Sequence, residues 1–402
     1  MANDIPQGWR KCKLGDVAEI IREVIDPQKT PNEIFTLYSI PAFDNQKIPE
    51  FLNGYEIQSS KYHIVEKCIL ISKLNPGVSR VWKIIDPSPD KISSTEFIPL
   101  KIKENEGDVA FDYTYYLLKN PIFYKLFEEW ANGTSGSHQR IKPNQVLELD
   151  ILLPPLPEQK AIASVLGSLD DKIDLLRKEN QTLEQLAETL FRQWFIEEAD
   201  DSWEVGRLGD FLSLIESGRR PKGGINTDLK SGIPSIGAEN INGLGRYDYS
   251  KTRFVSKDFF KSIKKGIIQD YDVLIYKVGA YVGRKSMFGR NYPYDICTVN
   301  EHVFILRSND KLNQFFLYFL LQEEDLAQLN SNSAQPGLNQ NAMKSFEIVV
   351  PPKGLIDEFG NIVKPLIDKI FFNGRQIRTL ENLRDTLLPK LMSGEVRVKL
   401  EV

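Results

Sequence analysis

The sequence contains few of the features that mark membrane or secreted proteins. Its longest dense apolar run, residues 315–321, is seven residues long, far short of the roughly 18 that a membrane-spanning helix needs. The first 13 residues contain no apolar stretch of the kind found in a secretory signal. Three cysteines, Cys12, Cys68 and Cys297, are scattered without the spacing of a disulfide framework or a metal site. These absences predict a protein of the reducing cytoplasm.

Sequence patterns of catalysis are also missing. The three histidines, His63, His138 and His302, lie outside any metal-ligand spacing or nucleophile signature. Residues 279–286 (GAYVGRKS) resemble a phosphate-binding loop, but the glycines are one residue too close and the lysine is displaced. Residues 291–294 (NYPY) differ by one residue from the Asn-Pro-Pro-Tyr of adenine methyltransferases, and no glycine-rich cofactor loop precedes them. We therefore expect a binding protein with no catalytic residue, metal site or cofactor of its own.

Length and composition are those of a multidomain globular protein. A chain of 402 residues with 41% hydrophobic and 26% charged residues can build an ample core and exceeds the length that one core usually serves. We expect two or three domains. The formal net charge of −4, taken as an average, would argue against nucleic-acid binding.

The two halves of the chain share sequence in the same order. Residues 9–16 and 203–210 match at Trp, Leu, Gly and Asp, with an offset of 194. Residues 151–190 align without a gap to residues 348–387, with 13 identities in 40 positions. The chain is therefore predicted to contain two copies of one unit, each a globular part followed by a helical segment.

Each globular part has the pattern of a mixed fold. Short β-rich runs, such as the matching residues 68–73 and 272–277, alternate with Gly, Pro and Asn, and an aromatic, helix-like stretch follows. Proline-rich residues 152–157 and 349–352 close each part, because proline ends a strand and fixes the direction of the chain. We predict an α+β fold with two similar globular domains separated by two long helices, which form an antiparallel coiled coil in a pseudo-twofold internal repeat. The predicted domains are residues 1–156 and 200–353, with spacer helices at residues 157–199 and, including the C-terminal tail, 354–402.

The segment after each proline-rich boundary has the heptad pattern of a coiled coil. In the first copy, apolar residues recur at alternating spacings of four and three, with Asn180 at one seam position. Ser168, followed by Asp171, is typical of a helix cap and predicts a helix over residues 168–194. Such a helix is about 40 Å long at 1.5 Å per residue, longer than most helices that pack within a single domain.

The second copy repeats this seam with one interruption at Arg384. Pro365 is expected in the first turn of the second long helix, where proline costs no hydrogen bond, so that Phe359 and Val363 belong to a separate turn or a kinked start. Two seams in one chain favour an antiparallel pair, and the alternative is that each helix packs only on its own domain. The predicted interface residues of the helix pair are Leu169, Ile173, Leu176, Asn180, Leu183, Leu190, Leu366, Ile370, Asn373, Ile377, Leu380 and Leu387.

Charge is unevenly distributed along the chain. Residues 157–200 hold ten acidic and five basic residues, whereas residues 251–290 hold ten basic and three acidic residues. The corresponding stretch of the first copy, residues 61–91, has six basic and three acidic residues. A basic run is often an ordinary solvated surface, but basic runs in matched places of both copies, interleaved with Tyr and Trp, favour contact with the phosphates of a nucleic acid.

Three loops add polar side chains to these basic stretches. Residues 132–140 (NGTSGSHQR) and 330–340 (NSNSAQPGLNQ) occupy matching positions before the two boundaries, and residues 218–224 (GRRPKGG) carry three cations on a tight turn. Such side chains can bind phosphates or read base edges. The residues predicted to contact DNA are Lys73, Asn75, Arg80, Lys83, Ser135, Ser137, His138, Gln139, Arg140, Arg219, Arg220, Lys222, Lys277, Tyr281, Arg284, Lys285, Asn332, Ser333 and Gln335.

This arrangement resembles the specificity subunit of type I restriction-modification enzymes over essentially the whole chain. The resemblance is carried by residues 152–159 (LLPPLPEQ) and the helix pattern after them, by residues 349–352 (VVPP), and by the Gly-Asp pairs that begin at Gly15 and Gly209. The second copy departs from this pattern at residues 353–356 (KGLI).

The resemblance implies a non-catalytic subunit with two target-recognition domains, each reading one half of a bipartite DNA sequence. The helices would set the spacer between the halves and dock two modification subunits, which bring S-adenosylmethionine and methylate adenine. Restriction subunits that use ATP and Mg²⁺ would join them. A 40 Å helix pair is similar in length to one turn of DNA, about 34–36 Å.

Two other classes of function stay open at the level of sequence. One is a methyltransferase or nuclease with fused specificity domains, which the missing cofactor and metal motifs disfavour. The other is a structural adaptor whose domains bind proteins. Salt dependence of binding separates the adaptor from a DNA reader, since contact with phosphates weakens steeply as salt rises.

Overall fold

A computed structural model describes residues 5–45, 47–104, 108–132, 140–226, 228–329 and 337–399. The chain forms two compact units: unit 1 is Met1–Asp171 together with Glu381–Val402, and unit 2 is Lys172–Leu380. This division cuts through both long helices, whereas the division predicted from the sequence keeps each helix whole. The bounds of the four segments named above stay a prediction.

In the described part of unit 1, the strands form a two-stranded ribbon, a four-stranded sheet and a five-stranded sheet. The central strand of the four-stranded sheet, Cys68–Ser72, is buried at every position, as its unbroken apolar sequence requires. The strands are β1 (Arg10–Lys13), β2 (Ala18–Ile20), β3 (Val24–Ile25), β4 (Ile34–Tyr38), β5 (Glu50–Asn53), β6 (Lys61–His63), β7 (Cys68–Ser72), β8 (Val81–Ile84), β9 (Lys91–Ser93), β10 (Phe97–Ile102) and β11 (Asp150–Leu153).

The helices of unit 1 cover one face of the four-stranded sheet with aromatic side chains. Phe111, Tyr113 and Tyr116 are almost fully buried in a core that also contains Leu166 and Leu388 from the two long helices. The globular part of unit 1 therefore shares one core with its helix pair. The helices are α1 (Leu14–Val17), α2 (Ile40–Asp44), α3 (Phe111–Leu118), α4 (Pro121–Asn132), α5 (Pro143–Leu147) and α6 (Leu156–Arg192), whose second half belongs to unit 2.

Unit 2 is built in the same way. Its core joins the strands to Phe191 of α6 and to Phe359, Ile367 and Phe371 of the second long helix. Its strands are β12 (Glu204–Arg207), β13 (Leu212–Ser217), β14 (Ile233–Ile236), β15 (Arg253–Val255), β16 (Asp272–Tyr276), β17 (Lys285–Phe288), β18 (Thr298–Val299), β19 (Val303–Ser308) and β20 (Glu347–Val350), and its helices are α7 (Lys257–Ser262), α8 (Gln314–Glu323), α9 (Gln340–Ser345) and α10 (Lys353–Ser393).

Strand order confirms the internal repeat. The four-stranded sheets have the orders β2-β10-β7-β8 in unit 1 and β13-β19-β16-β17 in unit 2, which are the same path through matching strands. The ribbons β1-β11 and β12-β20 also match. The remaining sheets differ, with the order β3-β6-β9-β4-β5 in unit 1 and β15-β14-β18 in unit 2, although each contains one parallel pair. The predicted α+β class with two similar domains is confirmed, and the copies differ mainly in this sheet.

The first long helix begins earlier than its capping pattern predicts. α6 starts at Leu156, where the backbone N–H groups of Glu158 and Gln159 both donate to the Pro155 carbonyl. Ser168 lies inside the helix, and its hydroxyl donates to the Val165 carbonyl over 2.8 Å instead of capping a helix end. The predicted cap at Ser168 is therefore wrong.

The second long helix also begins earlier than predicted, because it runs through Pro365. α10 is continuous from Lys353 to Ser393, although an interior proline removes one helical hydrogen bond and crowds the preceding turn. Ile356, Phe359 and Val363 are fully buried at helical spacing in the unit 2 core. Burying three large side chains outweighs the cost of the proline, since each contributes about 1.5–3 kcal/mol. The expected separate turn at Phe359 and Val363 does not form.

Within unit 1, the two long helices are joined by a charged cluster. Arg384 of α10 donates to Asp170 of α6 over 2.7 Å, and Tyr116 and Lys119 of the globular part donate to the other oxygen of the same carboxylate. Burial alone would raise the pKa of Asp170, but Lys119 and Arg384 hold that pKa below its usual value. The interruption of the heptad seam at Arg384 is thus an ion pair across the helices.

Within unit 2, the corresponding contact is centred on two amide side chains. Asn373 Nδ2 donates to Asn180 Oδ1 over 2.9 Å and to Glu179 Oε2 over 2.9 Å, and both asparagines are buried. Ring contacts of Phe191 with Phe359 join the same helices farther along. Since residue numbers rise along α6 as those of their partners fall along α10, the helix segments in each unit are antiparallel.

The predicted interface residues all lie on the inward side of the helices. The structure buries Ile173, Leu176, Asn180, Ile370 and Asn373 and half-buries the others, which are Leu169, Leu183, Leu190, Leu366, Ile377, Leu380 and Leu387.

Candidate nucleic-acid interface

In each unit, the loop that follows the central strand lies against the C-terminal part of the predicted Ser- and Asn-rich loop. Leu74, after β7, forms an antiparallel bridge with Arg140, and Val278, after β16, forms one with Gly337. The bridged residues lie 66 residues apart in unit 1 and 59 in unit 2, so that the basic stretch and the polar loop are neighbours at the same place in both units. This is the arrangement that a surface built from both segments requires.

Several predicted contact residues cannot be placed. They fall in residues 133–139 and 330–336, which lie outside the described residues. They are Ser135, Ser137, His138, Gln139, Asn332, Ser333 and Gln335.

Two of the cations predicted for unit 1 are held by carboxylates of the protein itself. Arg80 donates two hydrogen bonds to Asp44, of 2.8 and 2.9 Å, and its side chain is only 12% exposed. Lys83 Nζ lies 3.0 Å from a carboxylate oxygen of Asp112, and both side chains are more than a third exposed. These cations reach a phosphate only by leaving their carboxylates.

The remaining predicted residues of unit 1 surround the Leu74 bridge. Lys73 Nζ donates to the Thr95 carbonyl over 2.5 Å. Asn75 is exposed and has a φ of 46°, in the left-handed region that asparagine tolerates in turns. Arg140 is paired with Glu96 over 3.0 Å, with 53% of its side chain exposed. Asn75 and Arg140 are the members of this group that face solvent.

In unit 2, two predicted lysines point inward. Lys277 Nζ donates to Ser217 Oγ over 2.9 Å and lies above the Phe304 ring, and Lys285 Nζ donates to the Glu324 carbonyl over 2.9 Å. Burial lowers the pKa of both Lys277 and Lys285. Their ammonium groups help to hold the loops in place, and so they are poor candidates for direct contact with phosphate.

Arg284 and Tyr281 of unit 2 present a different surface. The Arg284 guanidinium lies 4.0 Å from the centre of the Tyr281 ring, and Tyr281 is 47% exposed. Among the described side chains Arg284 has no carboxylate partner within ion-pair distance. A guanidinium stacked on an exposed aromatic ring is preorganised to bind a phosphate or to stack on a base.

The turn predicted to carry three cations is exposed. Arg219, Arg220 and Lys222 all have exposed side chains, and Arg220 Nε lies 3.0 Å from Glu301 Oε1. Two glycines follow with φ values of 91° and 95°, a conformation that other residues rarely adopt. The turn thus carries its positive charge on the surface of unit 2.

A cavity in unit 2 contains residues that sequence analysis missed. It has a volume of about 220 Å³ and is lined by Ser235, Asn240 and Arg253, among others, with Arg220 at its side. Arg253 belongs to the basic stretch noted in the sequence, but no local pattern distinguishes Ser235 or Asn240. Their burial becomes visible only in the folded unit.

His63 and His302 each lie beside a carboxylate, and one of the two motif-like segments packs in the core. His63 Nδ1 lies 2.7 Å from Glu23, and His302 Nε2 lies 3.4 Å from Glu301. Tyr292 of residues 291–294 is buried and stacks on Phe371. In the described ranges, no three His, Cys, Asp or Glu side chains come together as metal ligands, and no described helix has the length and apolarity to cross a membrane.

Comparison with known proteins finds the same architecture. A family model described as "Type I restriction modification DNA specificity domain" matches residues 6–185 and again residues 200–382. The MjaIX specificity subunit of a type I restriction enzyme from Methanocaldococcus jannaschii is 27% identical, with 98% of this chain and 95% of that protein covered. The HindI specificity subunit from Haemophilus influenzae is 24% identical, covering 96% and 99%. The crystal structure of a type I restriction-modification S subunit from M. genitalium has a TM-score of 0.58 at 16% identity, covering 98% of this chain and 97% of that one.

Proposed function

The chain belongs to the family of type I restriction-modification DNA specificity proteins and carries two of the family's domains, and we propose that each unit reads one half of a bipartite DNA target. A specificity subunit supplies DNA recognition to its complex and performs no chemistry itself. The catalytic steps accordingly belong to partner subunits.

One observation carries the proposal. The same pairing of a basic loop with the C-terminal part of a polar loop occurs in both units, at Leu74–Arg140 and at Val278–Gly337. Two copies of one binding surface fit a target with two recognised segments, whereas a single continuous site needs only one. The surrounding side chains differ between the copies, and so the two segments are expected to differ in sequence.

The long helices are proposed to set the distance between the two recognised segments. α6 has 37 residues and α10 has 41, and a helix rises 1.5 Å per residue. Buried contacts hold them together in both units, through Asp170 and Arg384 in one and Asn180 and Asn373 in the other. A helix pair fixed in this way supports a spacer of constant length.

The partners follow from the same family. We propose that two modification subunits dock on this chain and bring S-adenosylmethionine to methylate adenine, and that restriction subunits which use ATP and Mg²⁺ join the complex in the cytoplasm. No cofactor is assigned to this chain. The DNA that this chain binds is the substrate of these partners.

The methylation pattern tests the proposed function. The chain is combined with its modification subunit and a randomised DNA library, and methylated molecules are sequenced. We expect two short conserved segments separated by a spacer of constant length and unspecified sequence. A single uninterrupted motif, or methylation without sequence preference, would contradict the proposal. A binding series at several salt concentrations should show affinity falling steeply with salt.

Shortening both helices tests the spacer. Removing residues 176–182 and 371–377 takes one heptad from each helix at facing positions. Both segment preferences should survive while the original spacer is no longer selected. The control removes the heptad from only one of the two helices. The facing residues of the two helices are then out of register, and the stability of the protein should fall. Selection of the original spacer by the doubly shortened chain would count against the helices as its determinant.

A further inference from the structure

The cavity of unit 2 is lined by two residues that each have a buried polar atom without a hydrogen-bond partner in the described part of the chain. Ser235 on β14 is 3% exposed, and Asn240 on the turn after β14 is 1% exposed. Ser235 Oγ and Asn240 Nδ2 make no hydrogen bond with any group in the described part of the chain. A buried polar atom without a partner destabilises a protein, and it is a recurrent sign of a site that an external group completes.

The Asn240 amide is oriented by its neighbour. Its Oδ1 accepts a hydrogen bond from the Gly237 backbone N–H over 3.2 Å. The oxygen of the Asn240 amide therefore has a hydrogen-bond partner, whereas its NH₂ group has none in the described part of the chain. Asn240 offers a donor to a ligand, and Ser235 offers a hydroxyl that can also donate.

Charges around the cavity argue against a phosphate. Glu301 lies 3.0 Å from Arg220, and Glu239 lies 3.8 Å from Arg253. Each carboxylate lines the cavity and is engaged by one arginine. A phosphate would meet two carboxylates at close range, whereas an uncharged group with hydrogen-bond acceptors would not be repelled.

The matching position of unit 1 is apolar. Ser39 and Gly237 each cap the turn after their strand, and the residue before each accepts a backbone hydrogen bond from the neighbouring strand, Tyr38 from Ser94 and Ile236 from Asn300. Ser235 therefore matches Leu37, which is 7% exposed. The buried serine of unit 1 near this position, Ser39, donates to Glu50 over 2.5 Å and accepts from the Ala42 backbone N–H over 3.1 Å. The unpartnered serine is thus a property of unit 2 and not of the shared fold.

We propose that this cavity receives the edge of a guanine in the half of the target that unit 2 reads. The unpartnered groups at the cavity can both donate a hydrogen bond: they are Asn240 Nδ2 and the Ser235 hydroxyl. Guanine presents two adjacent acceptors in the major groove, N7 and O6, and no other base does so. This inference rests on the proposed function, and it assigns specificity to residues outside the basic loops.

The test compares two serines in the same complex. The full chain carrying Ser235→Ala, Asn240→Asp or, as the matched control, Ser39→Ala is assembled with its modification subunit and given the randomised DNA library. Asn240→Asp keeps the acceptor for Gly237 and replaces the unpartnered donor by an acceptor that carries negative charge. Unfolding midpoints of the three variants are measured in parallel, without DNA.

We expect Ser235→Ala to leave the unfolding midpoint unchanged or slightly raised, because it removes a buried hydroxyl that has no partner. Discrimination in favour of guanine at one position of one half-target should fall by roughly tenfold in Ser235→Ala and Asn240→Asp. The other half-target should be read as in the wild type. Ser39→Ala should lower the midpoint and leave the preference of unit 2 intact.

Three results would overturn the inference. The first is an unchanged base preference in both cavity variants while the wild type selects its target normally, which leaves the proposed function standing. The second is a lost preference for a base other than guanine. The third is a wild-type complex that shows no sequence preference at all, which removes the proposed function together with the inference.

Discussion

Units 1 and 2 hold the start of their long helix by different chemistry. In unit 1, the buried Glu158 accepts hydrogen bonds from Trp9 over 3.1 Å and from Arg397, while the buried Gln159 donates to the Asp108 and Pro154 carbonyls. In unit 2, the matching positions are Leu355 and Ile356, and both pack in the apolar core. The same fold is reached from polar and from apolar residues.

This difference explains why the motif at the helix start is only half repeated in the sequence. The Pro-Pro pair recurs because it ends a strand and sets the direction of the helix in both units. The next four residues need only to be held against the globular part. In unit 1 these residues are held by hydrogen bonds, which require a particular orientation of the partners. In unit 2 they are held by apolar packing, which requires only side chains of a suitable size.

The largest effect is expected from Phe359, near the start of the long helix in unit 2, which we call the apolar anchor. Phe359 is fully buried in unit 2 and contacts the rings of Phe191, Phe195 and Phe319. Phe359→Ala should destabilise the protein by about 3–5 kcal/mol, because it removes apolar contacts and leaves a cavity. Urea unfolding measures this change. Leu383→Ala, at a position that is 46% exposed on the same helix, is the control and should change stability by less than about 1 kcal/mol.

The charged cluster of unit 1 should give a somewhat smaller effect that depends on pH. Asp170→Asn leaves Lys119 and Arg384 close together without their carboxylate and should cost about 3 kcal/mol at neutral pH. In the folded protein the pKa of Asp170 is lowered by Lys119 and Arg384 despite its burial. The wild type therefore has the full stabilisation above the ordinary carboxyl pKa of about 3.9 and loses it as pH falls through the lowered folded value.

Unfolding of the wild type and Asp170→Asn is to be measured between pH 7 and pH 3. Their stabilities should converge at the acidic end. Phe359 of unit 2 packs among aromatic rings that do not ionise, so the stability difference between wild type and Phe359→Ala should stay constant over the same range. A constant difference for Asp170→Asn as well would show that its charge does not contribute.

Glu158, the polar anchor at the start of the long helix in unit 1, should contribute less to stability than either Phe359 or Asp170. Glu158→Ala removes the hydrogen-bond acceptor of Trp9 and of Arg397. The Arg397 side chain is 44% exposed, so water can accept hydrogen bonds from its guanidinium in the variant. We expect a loss of about 2 kcal/mol. The matched change in unit 2, Leu355→Ala, removes no hydrogen bond. A double-mutant cycle of Glu158→Ala with Arg397→Ala should give a coupling energy of about 1 kcal/mol, and additive effects would exclude the pair as an anchor.

The smallest effect concerns DNA binding, where the two copies again differ. Arg284→Ala in unit 2 should reduce the salt dependence of DNA binding by about one phosphate contact. Arg80→Ala in unit 1 should have less effect, because Arg80 must first leave Asp44. Asp44→Asn releases Arg80 and should raise affinity. Equal effects of the two arginine substitutions would show that the ion pair with Asp44 does not restrain Arg80.

Sequence patterns predicted the helices better than their ends. The buried or half-buried state of all the predicted interface residues follows from a spacing of three and four, which is a local property. Ser168 and Pro365 misled the prediction of the helix ends, because capping and helix-breaking preferences amount to a few kcal/mol at most. In α10, burial of Ile356, Phe359 and Val363 exceeds the cost of Pro365.

The surroundings of individual charges depend on the fold for a related reason. Arg80 and Asp44 are 36 residues apart and nothing in the sequence pairs them, yet they form two hydrogen bonds in the fold. Lys277 and Lys285 have the sequence environment of surface residues but donate to groups inside unit 2. A basic residue in a basic stretch is thus available for DNA only if the fold leaves it unpaired.

The amino-acid sequence by itself determined the duplication, the heptad seam and the proline-marked boundaries, because these depend on periodicity and on backbone restrictions that act over a few residues. Tertiary structure alone decided that Arg384 completes an ion pair within the seam, that Arg80 is held by Asp44, and that Ser235 and Asn240 border a cavity without partners. Hydrogen bonding and electrostatics depend on distances between residues remote in the chain, and only folding fixes those distances.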